Sequence, residues 1–113
     1  MLERSYTDLA LRQAMALLAI DSPTGFTEKA AQWVQDAFAA LGYDARRTVK
    51  GGVLIDLGGK NADDALLLEA HTDTLGGMIA EIKGNGRLRL TNLGGMRAEN
   101  GETENVRVCA RDG

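Results

Sequence analysis

Ala65-Leu66-Leu67-Leu68-Glu69-Ala70 leads without a break into His71-Thr72-Asp73. A short, nearly continuous apolar run between turn-forming segments predicts a strand buried on both faces. The stretch before it, Gly58 to Asp64, is polar and begins with two glycines, which is a loop composition. A doubly buried strand needs helices on its faces, and the residues upstream have helical period. The expected class is therefore α/β.

Working back, Ser5 to Ile20 reads as a helix, with Leu11, Ala14, Met15 and Leu18 forming one apolar stripe at i, i+3, i+4 and i+7. Asp21-Ser22-Pro23-Thr24-Gly25 stops it, because proline restricts the residue before it and lacks an N–H. A second helix follows. Thr27 stands at the N-cap, Glu28 suits the positive end of the helix dipole, and Gly42 lies where a C-terminal cap belongs. Between them Ala30, Trp33, Val34, Ala37, Phe38 and Leu41 share a face, and Trp33 is expected to pack rather than to bind substrate. Beyond Gly42 the period becomes strand-like, with strands expected at 44–49 and 53–57 around the Lys50-Gly51-Gly52 turn.

Working forward, the pattern changes near Gly76. Met78 to Ile82 and Arg87 to Leu90 flank Gly84-Asn85-Gly86, a hairpin turn. Val106, Val108 and Ala110 alternate with polar residues, as a half-exposed strand does. Two helices and a buried sheet thus give way to small one-sided strands, and a domain boundary is expected between 1–75 and 76–113.

Composition narrows the function classes. Of 113 residues, 44% are apolar and 4% aromatic, so a core is available but must be built from aliphatic side chains. The net charge of −3 and the scattered arginines give no basic footprint, and nucleic acid is not an expected partner. The apolar run Ala14 to Ile20 is far below the ~20 residues that span a bilayer, and it has neither a basic leader nor a cleavage site. No membrane partner is expected. A single cysteine, Cys109, excludes an internal disulfide and fits a reducing, cytoplasmic setting. On a half-exposed strand it is expected to be a small buried thiol.

His71 and Asp73 lie at the carboxyl end of the expected buried strand, where ligand sites of open α/β sheets gather. Two-residue spacing in an extended chain points both side chains to one side. An imidazole binds a metal through one nitrogen while a carboxylate accepts the N–H of the other, which fixes the tautomer. The same pair also suits a merely polar strand end. One histidine does not complete a catalytic zinc site, which takes about three protein ligands. Glu99, Glu102 and Glu104 sit in a polar loop and are expected only to solvate it. The glycine pairs serve turns, and no phosphate-binding loop is present.

The ordered motifs carry a resemblance. Ser22-Pro23-Thr24-Gly25-Phe26-Thr27-Glu28 opens a helix, and a strand ends in Ala70-His71-Thr72-Asp73-Thr74-Leu75-Gly76-Gly77-Met78-Ile79. Ile82, Gly84-Asn85-Gly86, Leu88 and Gly94-Gly95 follow. In this order they resemble the amino-terminal third of the tetrahedral-aminopeptidase family, which includes glutamyl and deblocking aminopeptidases. The Ser-Pro-x-Gly and His-x-Asp elements alone are shared with zinc exopeptidases at large, whereas the Gly-Met-Ile segment after His-x-Asp and the later Gly-Gly point to this family. Thr74, Gly77 and Gly52 depart from the usual acidic, bulky and asparagine residues, which leaves the substrate side chain open.

The resemblance implies a zinc-exopeptidase-type α/β catalytic domain, begun by 1–75, interrupted by a small β domain for subunit assembly, begun by 76–113. It implies two divalent metals, zinc or cobalt, a peptide substrate and a homo-oligomer. His71 would bind one metal and Asp73 would orient it. The other ligands and the general base are expected downstream of Gly113, so the chain is expected to be an amino-terminal portion, inactive alone. Two alternatives stay open. One is a related metal-dependent carboxypeptidase or deacylase. The other is a non-catalytic assembly module in which His71 binds nothing.

Overall fold

A computed structural model of the chain describes residues 4–61 and 63–110. The order is α1 (Arg4–Leu18), α2 (Glu28–Ala40), β1 (Ala45–Arg47), β2 (Val53–Ile55), β3 (Gly76–Ile82) and β4 (Leu88–Leu93), then a short 3₁₀ turn, Ala98–Gly101. Helices followed by small antiparallel sheets make the chain α/β. It divides into two compact units, Met1–Thr74 and Leu75–Gly113. Among the described residues no helix is long and apolar enough to cross a membrane.

In the first unit, α1 ends where Ala19 and Ile20 donate to Met15 and Leu17, the last turn tightening before Pro23. Its expected apolar stripe faces water: Leu11, Met15 and Leu18 are exposed, and Leu17 and Ile20 are the half-buried positions. Helical period fixes which residues share a face, but contact decides which face is covered, and α1 packs against α2.

The second helix is the centre of the unit. Ala30 and Ala31 are buried, and Trp33, Val34, Ala37 and Phe38 are half-buried beside them. Leu41, expected on the same face, is exposed because it is already the C-cap residue. Thr27 occupies the N-cap position but makes no capping hydrogen bond. Its φ of −102° and ψ of 2° are not the extended geometry that turns a capping oxygen toward the free N–H groups. The C-terminus is fully capped. Gly42 takes φ +88°, Tyr43 N–H donates to Phe38 O and Gly42 N–H donates to Ala39 O. That is the Schellman pattern, and its usual apolar contact is supplied by Phe38 and Tyr43, edge to face at 6.1 Å.

β1 and β2 pair antiparallel, Ala45 with Ile55 and Arg47 with Val53. Their turn closes through Thr48, whose carbonyl accepts from Gly51 N–H and whose hydroxyl accepts from Gly52 N–H. Two side chains tie the hairpin to α2: Gln35 donates to Ala45 O at 2.8 Å, and Arg47 pairs with Glu28.

The 65–70 segment is not a strand, and Leu66, Leu67 and Leu68 are 86, 72 and 76% exposed. β1 and β2 pair only with each other, so no strand among the described residues offers 65–70 a ladder. An apolar run becomes a buried strand only when neighbours cover its edges and faces. Just beyond this segment a parallel bridge joins Pro23 and Thr74, in which Thr74 N–H donates to Ser22 O at 2.7 Å. Ser22 is 2% exposed, and its hydroxyl has no hydrogen-bond partner among the described residues.

In the second unit, β3 and β4 form a hairpin from Gly76 opposite Leu93 to Ile82 opposite Leu88, with a bulge between Ile79 and Glu81. Gly86 N–H donates to Lys83 O, and Gly86 at φ +80° turns the chain back. Glu81 and Arg89 pair across it at 2.8 Å. The strand expected around Val106 is absent. Val106 and Val108 are exposed, and so is Cys109, which is not the buried thiol the alternation implied. Alternation alone gives no strand where no ladder partner is present.

Candidate functional site

The bridge between Pro23 and Thr74 brings the loop after α1 against the end of the 65–73 segment, and the polar side chains meet there. Asp73 is the hub. Its Oδ2 accepts from the Thr24 hydroxyl at 2.7 Å, across 49 residues of sequence. Its Oδ1 lies 3.0 Å from His71 Nδ1, and its own carbonyl oxygen is equally close to that nitrogen. Both neighbours of Nδ1 are acceptors, so the neutral ring satisfies them only as the Nδ1–H tautomer. The lone pair then sits on Nε2. The imidazole is 85% exposed, which leaves that nitrogen open to a ligand.

Thr24's hydroxyl holds the Asp73 carboxyl below the usual carboxylate range. Partial burial pushes the other way, and the hydrogen bond and charge of His71 add to the lowering. Asp73 is therefore an anion across the neutral range and a steady acceptor for His71.

The pair lines an open concavity of about 470 Å³ in the first unit. Thr24, Gly25 and Thr27 form one wall, Ala31 and Val34 of α2 the back, and residues 50–53 and 70–73 the rest. Lys50 is the cation on its rim, at the turn between β1 and β2.

The donor set fits one metal ligand with its orienting carboxylate. Among the described residues no three or more His, Cys, Asp and Glu side chains come together to hold an ion. Glu99 lies in the 3₁₀ turn, and Glu102 and Glu104 are exposed after it. Sequence reasoning singled out His71 and Asp73 and missed Thr24. The signal available for Thr24 was its place in Ser22-Pro23-Thr24-Gly25, which reads locally as a helix stop and enters the resemblance as a motif, without marking the threonine itself.

Residues 51–113, more than half of the chain and including His71 and Asp73, match the family model of the M42 glutamyl aminopeptidases, and the chain belongs to that family. It is also similar to YhfE of Bacillus subtilis (strain 168), a protein provisionally named an aminopeptidase. The two are 34% identical over 97 residues, which is 86% of this chain and 28% of the relative. The chain thus spans little more than a quarter of the curated relative's length.

Proposed function

We propose that the chain is the amino-terminal portion of a metal-dependent aminopeptidase, with His71 as a ligand to one divalent ion and Asp73 as its orienting partner. The observation that carries this reading is the Nδ1 contact of His71 with Asp73 at 3.0 Å, which leaves Nε2 exposed beside the concavity. Membership of an aminopeptidase family supports the reaction class.

In this reading Asp73 holds the imidazole in one tautomer and one orientation, and its negative charge makes Nε2 a better donor. A bound ion supplies Lewis acidity toward the scissile carbonyl and toward water. The concavity takes the peptide end, with α2 forming its apolar back. Two ions, zinc or cobalt, complete the site together with ligands from a longer chain, and 113 residues alone are inactive. The first unit is the start of the catalytic domain and the second begins a β domain for homo-oligomer assembly. The setting is cytoplasmic.

Cobalt titration followed by NMR tests the ligand role directly, because the chain has one histidine and hence one set of ring signals. The expected result is a selective paramagnetic shift of the ring protons beside Nε2, lost in His71→Asn. Ring signals unmoved by cobalt or zinc would overturn the assignment. Sequencing the gene past codon 113 tests the wider reading, which requires a further aspartate, paired glutamates and a late histidine in frame.

A further inference from the structure

We infer that Thr24 is a positioning residue for the histidine: through the Asp73 carboxylate, and alongside the Asp73 carbonyl oxygen that also lies 3.0 Å from Nδ1, it favours one tautomer and direction of the His71 ring. The geometry is a relay of two side-chain hydrogen bonds. The Thr24 hydroxyl donates to Oδ2 of Asp73 at 2.7 Å, and Oδ1 of the same carboxylate faces Nδ1 of His71 at 3.0 Å.

A carboxylate on the short aspartate side chain rotates readily about its terminal bond. In water it presents either oxygen, or both, to a neighbour. A donor fixed on Oδ2 removes that freedom and leaves Oδ1 aimed at the ring. The backbone supplies the fixed point. Thr24 follows Pro23, whose bridge partner is Thr74, and Thr74 N–H donates to Ser22 O at 2.7 Å. The hydroxyl and the carboxylate are thus carried on two segments joined by one backbone hydrogen bond beside them. Thr24 is exposed and is not packed as a core residue. With Asp73 oriented, the Nδ1–H form of the ring is favoured before any ligand arrives, and Nε2 is pre-set as the free donor. This preorganisation matters for function on the reading of His71 as a metal ligand, although the relay exists without metal.

The test is the tautomer of His71 in the metal-free chain, read from its two ring ¹⁵N shifts at a fixed pH where the ring is neutral. In wild type the Nδ1–H form should dominate. Thr24→Val keeps the shape and deletes the donor, and the ratio of Nδ1–H to Nε2–H forms should fall roughly threefold or more, the size expected for losing one ordered hydrogen bond. Thr24→Ser keeps the donor and should restore the wild-type ratio. A packing role predicts the reverse, with serine disturbing the ring and valine leaving it alone, and that pattern would overturn the inference. So would a ratio unchanged in both variants. Should the valine chain lose its fold, Thr24→Ala removes the same donor with less bulk and takes its place. Zinc binding measured on the same samples separates the two proposals. A Thr24-dependent tautomer without zinc binding keeps the relay and removes the ligand role, whereas zinc binding with a Thr24-independent tautomer does the opposite.

Discussion

Leu67→Lys should weaken self-association of the chain strongly while leaving its folding stability almost unchanged. Full burial of a leucine side chain contributes about 1.5–3 kcal/mol. Leu67 is 72% exposed, so about 1–2 kcal/mol of that stabilisation is unrealised within the chain. Leu66 and Leu68, 86 and 76% exposed, leave at least as much each on the opposite face of an extended segment. The backbone from 65 to 70 has no ladder partner among the described residues, so it can template pairing with a second copy. Lysine at 67 both withdraws the apolar area and sets a charge against its own copy across any paired interface. A loss of about 1.4 kcal/mol or more corresponds to at least tenfold weaker association. Sedimentation velocity over a wide concentration range reads the association, and urea unfolding of the dilute chain reads stability, with an expected change within about 0.5 kcal/mol. Two results would refute the reasoning. A wild-type chain that stays monomeric at high concentration removes the association. A destabilisation above about 2 kcal/mol in the dilute variant means that Leu67 is buried in the folded chain after all.

Two further outcomes concern the site. Asp73 has a depressed carboxyl in the folded chain, so its contribution to stability is present above the unfolded carboxylate value near 3.8 and is lost as pH falls through the lower folded value. Unfolding followed by circular dichroism from neutral to acid pH should show that loss, and Asp73→Asn should flatten the curve in this range; an unaltered curve would contradict the shift. Ser22→Ala removes a buried hydroxyl with no partner among the described residues, a group of a kind that costs about 1–3 kcal/mol when left unsatisfied. The melting temperature should stay level or rise, and a fall equivalent to more than about 1 kcal/mol would mean that the hydroxyl is engaged.

The parts of the fold that were legible in the sequence are those specified locally. Helical period, the Pro23 stop and Gly42 located α1 and α2 to within a few residues, because the information lies within a turn or two of each residue. Gly84-Asn85-Gly86 likewise announced the hairpin of β3 and β4, since a positive φ is needed at Gly86. The 65–70 and 106–110 segments were misread for one reason. Apolar runs and alternation state what a strand would look like, but pairing comes from residues far along the chain, and none of the described ones supplies it. The site divides along the same line. His71 and Asp73 are two residues apart and visible as a pair. Thr24 is 49 residues from Asp73, and a contact of that span leaves no local trace.

The bridge between Pro23 and Thr74 also has a kinetic meaning. It closes a loop of some fifty residues, and loop-closure entropy rises as (3/2)RT ln n, roughly 3.5 kcal/mol at that length before any constant term. The helices and the β1–β2 hairpin form from near neighbours, so they gain structure before that closure does. The contact of Thr24 with the Asp73–His71 pair is therefore expected to form later in folding than these local elements. The histidine ring is in consequence a clock hand for that closure: its tautomer is expected to register when the segments around Pro23 and Thr74 have found each other.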